Sequence, residues 1–393
     1  MMRKNTFHTS VSLPNVPGCD CVGRVYRCGK GAANRYNIQK NDRVCCLSPN
    51  LGGNARYVKV HAKELMRVSH NANAVEIACL MQTYATAYQC LHRCGHQPIK
   101  WGDKVLIIGG NTPLGLATIQ LALLANASLV CASADPFYHP LLKSLGVVCL
   151  GSDTEECVYK VRNRMDIIVD CLCNVEAETV HVAGNKTGTV ILTKKPRLSW
   201  NFSSYNFDLS RVLPNARTDH VHISPCCGQR LPARTFCFDL LESKSSNPSA
   251  YASDLMFLMR LLSAGKIAPK VSKCVPLESV PMVHEQLEHH KFEGDVVCLP
   301  WMVVSNDKKM KDKPSGKNHP ILEKAKDDID ENTSIIDRRP NVEPLTCFNF
   351  GDRTADFIVS CLYDHCQVDI DSSSSSSSDG DYYFSDDDTA ELY

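Results

Sequence analysis

Residues 101–135 read WGDKVLIIGGNTPLGLATIQLALLANASLVCASAD, and their order decides the fold. Lys104 to Ile108 is a short apolar run with the pattern of a buried strand, and it enters a turn at Gly109 and Gly110. A helix is expected to open near Leu114 and to end in Ala-rich sequence. A second apolar strand, Leu129 to Ala132, follows with polar residues at its end. Strand, tight turn, helix, strand is a βαβ unit of the kind that holds a dinucleotide. A helix N-terminus offers unpaired N–H groups and a partial positive charge, and glycine lets backbone approach a pyrophosphate.

Aligned on G-x-G-x-x-G, the turn reads Gly110, Asn111, Thr112, Pro113, Leu114, Gly115, so Thr112 stands at the second glycine. Pro113 suits the first position of a helix, where its missing N–H is one the helix leaves unpaired. A bound phosphate loses that donor, and Thr112 crowds its approach. Gly115 supplies close packing of helix on strand. The candidate cofactor contacts at this turn are Gly109, Gly110, Asn111, Thr112, Leu114 and Gly115.

The chain has 393 residues, enough for two cores and a tail. Lys plus Arg and Asp plus Glu are 43 each, so no global charge argues for nucleic acid or a membrane surface. No apolar run is long enough to span a bilayer. The first residues lack an apolar signal core. They are basic, rich in Ser and Thr and free of acids before Asp20, a faint likeness to a mitochondrial transit peptide beside the cytoplasmic expectation. The 21 cysteines form no spaced framework, which points to free buried thiols in a reducing compartment.

Four regions follow from composition: a β-rich part over 1–80, an alternating strand and helix part over 81–265, a return segment over 266–301, and a polar tail over 302–393. The tail is Lys-rich over 308–326 and then acidic, with seven serines between Asp371 and Asp379. Such composition cannot bury enough apolar surface to offset its ordering entropy. Only residues 354–363 are apolar enough to dock. Removal of everything after Trp301 is therefore expected to leave the fold intact. Ser376, Ser378 and Ser385 each precede an aspartate by three residues, a spacing that suits an acid-directed kinase of the casein kinase 2 type. The anionic arm so formed is a candidate to bind a basic protein partner or the 308–326 stretch.

Several segments, in order, resemble the medium-chain dehydrogenase/reductase family, in its zinc-free quinone-oxidoreductase and enoyl-reductase-like branch. Pro17-Gly18-Cys19-Asp20-Cys21-Val22-Gly23-Arg24-Val25 resembles P-G-x-D-x-x-G-x-V. Asn41-Asp42-Arg43-Val44 resembles G-D-R-V, and Gly52-Gly53-Asn54-Ala55-Arg56-Tyr57-Val58 resembles G-G-x-A-E-Y-V. Thr86-Ala87-Tyr88, Gly102-Asp103-Lys104-Val105, Leu145-Gly146-Val147 and Asp166-Ile167-Ile168-Val169-Asp170 resemble motifs of the cofactor domain. Ala264-Gly265-Lys266-Ile267 and His284-Glu285-Gln286-Leu287-Glu288 resemble A-G-K-L and H-E-A-L-E.

The resemblance implies an α/β fold: a Rossmann doubly wound parallel sheet, a partial GroES-like β-rich domain and a disordered acidic tail. The GroES-like domain is partial because about a dozen residues precede P-G-x-D where the family has several strands. It also implies hydride transfer from NADP(H) to a quinone or α,β-unsaturated carbonyl, with Thr86 near the nicotinamide or its phosphates and no catalytic side chain named. The family's G-H-E position reads Gly18-Cys19-Asp20, residues 80–88 offer no later ligand, and the structural-zinc cysteines are absent, so zinc is not expected. The family also forms homodimers.

Cofactor choice rests on the end of the second strand. Ser133 stands where an acid would favour NAD, and Lys143 on the next helix suits a 2′-phosphate, which favours NADP. Ser133 and Asp135 equally suit capping of the next helix. Asp170 suits turn capping at the cleft edge, and Cys90, Cys94 and His96 suit core thiols better than a metal site. The competing class is a catalytically inactive, dehydrogenase-like scaffold acting through its tail.

Overall fold

The computed structural model describes residues 16–48, 51–95, 97–193, 222–223, 230–231, 234–288, 294–302, 360–362 and 389–392. Residues 303–355 lie wholly outside them. In chain order the strands are β1 (Asp20–Cys28), β2 (Arg43–Leu47), β3 (Val58–His61), β4 (Met66–Arg67), β5 (Lys104–Ile108), β6 (Leu129–Ser133), β7 (Val148–Cys149), β8 (Met165–Asp170) and β9 (Gly184–Leu192). After the short pair β10 (His222–Ile223) and β11 (Arg230–Leu231) come β12 (Thr235–Cys237), β13 (Val271–Pro276), β14 (Asp295–Leu299), β15 (Ser360–Leu362) and β16 (Thr389–Leu392).

Six of these form one all-parallel sheet in the order β12-β9-β8-β5-β6-β7. Counted from β5 as the first strand, this is the doubly wound order 3-2-1-4-5-6. The pleat explains why β5 is apolar throughout. Val105 and Ile107 belong to the core on one face and Leu106 and Ile108 to the core on the other, so both faces are covered by helices. The helix Pro113–Leu124 sinks Leu116, Ala117, Ile119 and Leu121 into the first of these cores. It ends where Asn126 takes a left-handed conformation, φ 59°, which short polar side chains tolerate.

A helical run from Ala74 to His92 crosses residue 80, where composition places the change from the β-rich part to the sheet of parallel strands. Asn73 caps its start by accepting from the Val75 N–H at 3.0 Å. In its middle, Leu80–Tyr84 form a π-turn. Such a turn loosens the backbone ladder, and the Met81 carbonyl accepts instead from the buried Tyr251 hydroxyl at 2.9 Å. The last turns are held to the helix Pro248–Ser263 by the buried Asp254. Its carboxylate accepts from Gln89 Nε2 at 2.8 Å and from Arg93 through two parallel bonds of 2.6 and 2.5 Å.

The β-rich part is a second sheet, β3-β16-β1-β2-β4, over its own apolar cluster. The region after Trp301, expected to be dispensable, contributes two short strands to the described sheets. Within the apolar 354–363 stretch, β15 adds to β14, and Thr389–Leu392 lies between β1 and β3. The serine cluster, the three candidate phosphorylation sites and the Lys-rich stretch lie outside the described residues. The described cysteines are unbridged and mostly buried. Burial pushes the Cys46 thiol up to about 12 and raises those of Cys45 and Cys21 as well, so they are poor nucleophiles. Among the described residues no helix is long and apolar enough to cross a membrane.

Two outcomes follow for stability. Asp254→Ala leaves Gln89 without its charged acceptor and half-exposed Arg93 without its partner, and should cost about 2–3 kcal/mol in urea unfolding. A loss under about 0.5 kcal/mol would remove Asp254 as the tie between the two helices. His92 and His181 are held below the usual histidine range, first of all by burial. The neutral ring is therefore the folded form, and the unfolded chain binds more protons below pH ~6.5. Thermal stability should fall as pH drops through that range, and the fall should shrink in a His92→Phe/His181→Phe double variant.

Candidate functional site

The C-terminal ends of β5 and β8 are neighbours, and the chain leaves them in opposite directions along the sheet, which makes the crevice where open α/β sheets bind ligands. Gly109 leaves β5 at φ 83°, a conformation that costs glycine nothing, and a Cβ there would stand 2.7 Å from Leu172 Cγ. Gly115, in the first turn of the helix Pro113–Leu124, lies against the same backbone: a Cβ on it would stand 2.1 Å from the Gly109 carbonyl oxygen. The close helix-to-strand packing expected of Gly115 is therefore obligatory.

The turn is held from β6. Ser133 is buried, its hydroxyl accepts from the Gly109 N–H at 3.0 Å, and its carbonyl accepts from the Gly110 N–H at 2.8 Å. Its side chain lies beneath the turn, and it does not cap the next helix. Asp135 does cap, accepting from the Phe137 N–H at 2.9 Å. Asp170 likewise caps its turn, accepting from the Leu172 and Cys173 N–H groups at 2.9 and 2.8 Å. Lys143 is exposed on the helix His139–Ser144 that follows β6.

At the helix start, Thr112 is the N-cap. Its hydroxyl accepts from the Gly115 N–H at 3.0 Å and donates to the Gly109 carbonyl at 2.8 Å, and Pro113 follows at the first helical position. Leu116 N–H is taken by the Thr112 carbonyl. Among the described residues, the N–H groups of Asn111 and Leu114 are left without an acceptor at the tip of the turn. Two free donors at a helix N-terminus fit a pyrophosphate, with fewer donors than a glycine at position 112 would leave. Thr112, read from sequence as a crowding residue, is also a cap; the Thr-Pro pair before an apolar run carried that signal.

Thr86 lies half-buried on the helix Ala85–His92, two residues beyond the π-turn. The π-turn itself supplies contacts that no motif announced. Gln82 accepts from the Cys19 thiol at 3.2 Å, Thr83 donates to the buried Asp295 carboxylate at 3.1 Å, and Tyr84 donates to Gln120 at 3.1 Å. Each of these spans a wide gap in sequence, so local spacing could not find them. Cys19, at the family's G-H-E position, is thus engaged by an amide. Among the described residues no group of three or more His, Cys, Asp or Glu is placed to hold a metal. Cys90 is buried, its thiol pushed up chiefly by burial, and His96 lies outside the described residues.

Sheet order and glycine turn together define a Rossmann-type fold with the turn at the switch of strand order. No family model matches the chain. It is similar to the trans-enoyl reductase phm4 of Pyrenochaetopsis sp, 29% identical over 182 residues that make up 42% of this chain and 50% of that protein. It is also similar to human quinone oxidoreductase, 22% identical over 294 residues, 73% of this chain and 80% of the relative. Among solved structures, a mycobacterial protein complexed with NADPH superposes with a TM-score of 0.59 at 21% identity, covering 74% of this chain and 84% of the other. The enoyl reductase JamJ does so at 0.56 and 23%, covering 72% and 78%. The chain spans about half the length of the trans-enoyl reductase that it matches. In fold and in these relatives it is similar to quinone oxidoreductases and enoyl reductases.

The cradle generates one direct outcome. A Thr112→Gly/Pro113→Gly variant frees the Gly115 N–H and adds one at position 113. NADPH affinity measured by calorimetry should rise by a factor of about 5–150, equivalent to about 1–3 kcal/mol if a freed donor meets a buried phosphate. Unchanged or weaker binding would show that these donors do not face the phosphates.

Proposed function

We propose that the chain is an NADPH-dependent oxidoreductase that transfers hydride to a quinone or an α,β-unsaturated carbonyl. The observation that carries the reading is the pair of unpaired N–H groups, Asn111 and Leu114, at the glycine turn beside the switch of strand order. A pyrophosphate is the anion that this place in a doubly wound sheet suits. Gly109, Gly110 and Gly115 shape the turn, Thr112 and Asn111 edge it, and Thr86 stands on the helix expected beside the nicotinamide. Bound there, the cofactor supplies the hydride. The protein supplies orientation and a cleft shielded from water, and no side chain is assigned a covalent role. The NADPH complex of a structural relative supports the cofactor reading.

Lys143, exposed on the helix after β6, is the cation assigned to the 2′-phosphate. Ser133 leaves that edge without an acid, since its hydroxyl is turned under the Gly109 N–H. Zinc has no part in this reading: Cys19 and Asp20 stand at the family's ligand position, and the Cys19 thiol is hydrogen-bonded to Gln82.

One observation favours a second reading, a dinucleotide-binding module without turnover. Thr112 occupies the Gly115 donor and Pro113 removes another, so the cradle is poorer than its sequence pattern asks. Titration with NADPH and NADH, followed by turnover with a quinone and an enone, separates the two. Preferential NADPH binding with turnover supports the oxidoreductase. Binding without turnover of either acceptor supports the module, and no binding of either nucleotide at millimolar concentration overturns both. In the same assay, Lys143→Ala should weaken NADPH by roughly twofold to fivefold, as an exposed charge pair implies, and leave NADH unchanged.

A further inference from the structure

The strand β16 sits in the middle of the β-rich sheet although it comes from the far end of an acidic segment. On one side it runs antiparallel to β1, with Leu392 opposite Val25, Glu391 opposite Arg27 and Ala390 opposite Cys28. On the other it runs antiparallel to β3, with Leu392 opposite Val58, Glu391 opposite Lys59, Ala390 opposite Val60 and Thr389 opposite His61. Among the described residues β3 has no other partner in this sheet, so β3 is joined to β1 only through β16. Leu392 is fully buried at 0% exposure, in the cluster of Val25, Ile38, Val44, Val58 and Val60. β1 meets β16 with a register shift between Val25 and Arg27, a local irregularity that lets the strand serve β2 on one edge and β16 on the other.

We propose that the gap between β1 and β3 is a strand-accepting groove, occupied by the chain's own Thr389–Leu392 segment as a separable clamp. Its recognition chemistry is that of β-augmentation: main-chain bonds to both neighbours, a small residue at 390, an aliphatic residue at 392, and an acid at 391 in register with two cationic positions. Four residues and one buried leucine are a small footprint. In sequence the segment follows a long Ser- and Asp-rich run, and its hold depends on the tether that keeps its local concentration high. An extended peptide of the same pattern competes for the groove when the tether is cut.

Three preparations test this: the full chain, a chain ending at Asp388, and full-length Leu392→Asp. The probe is a labelled synthetic peptide of residues 386–393. Amide exchange across 58–61 should accelerate at least tenfold in both altered chains, while 104–108 in the parallel sheet stays unchanged. The peptide should bind the shortened chain one to one and the full chain at least tenfold more weakly, and a peptide carrying Leu392→Asp should bind neither. A second variant keeps the fold intact: with Ala390→Cys, mild oxidation should link the introduced thiol to Cys28, mapped by mass spectrometry of the digest. Equal exchange across 58–61 in all three chains, equal peptide binding to full and shortened chains, or absence of the Cys28 link would overturn the proposal.

Discussion

The site depends on one close approach, that of the Gly115 backbone to the Gly109 carbonyl. A single methyl group on Gly115 would stand 2.1 Å from that oxygen, so the helix meets β5 at this depth only because position 115 lacks a side chain. Everything else at the crevice is registered to this contact. Gly109 must turn at once, which it does at φ 83°, and the two N–H groups of the turn are then taken by Ser133, one by its hydroxyl and one by its carbonyl. The tip of the turn is thereby fixed from β5, β6 and the helix together. A binding site on such a frame is preorganised, and its donors need no rearrangement to meet an anion.

The helix start has two claimants. The Thr112 hydroxyl caps it internally, a contribution on the order of 1 kcal/mol. A phosphate at the same place brings a full charge to the helix N-terminus, and charge-assisted bonds are about twice as strong as neutral ones. Rotation of one threonine side chain is therefore enough to exchange the internal cap for a ligand. On the proposed reading, the residue that takes a donor from the phosphate also keeps the helix start satisfied, so a weaker site and a more stable unliganded fold would have one cause. Pro113 acts in the same direction, since it rigidifies the first turn while it removes a donor.

The parallel sheet was legible because its strands are buried on both faces and read as unbroken apolar runs. The carboxylates at 135 and 170 were legible as caps because their partners lie two and three residues away. The direction of Ser133 was not, since position along a strand does not say whether a small polar side chain turns toward the cleft or under the neighbouring turn. Asp254 and Arg93 are 161 residues apart, and Cys19 and Gln82 are 63 apart; nothing in local spacing couples them. β16 was hidden for another reason. Thr-Ala-Glu-Leu is too short for its alternation to rise above the acidic run before it, and only the unpaired edges of β1 and β3 give it a place.

The π-turn explains how the β-rich sheet and the parallel sheet share one helix. A regular helix would place residues 81–84 on successive positions of a single narrow spiral, with every carbonyl inside the ladder. The widened turn frees the Met81 carbonyl for Tyr251 and fans Gln82, Thr83 and Tyr84 toward three different elements. Gln82 meets Cys19 at the entry to β1, Thr83 meets Asp295 at the start of β14, and Tyr84 meets Gln120 on the helix that begins at the glycine turn. Gln120 in turn accepts from the Ala268 N–H and donates to its carbonyl. A chain of direct bonds thus runs from the start of β1 to the helix of the cradle through one irregular turn. The irregularity costs helix geometry, and what stabilises it is the set of buried polar partners that a regular turn could not reach together.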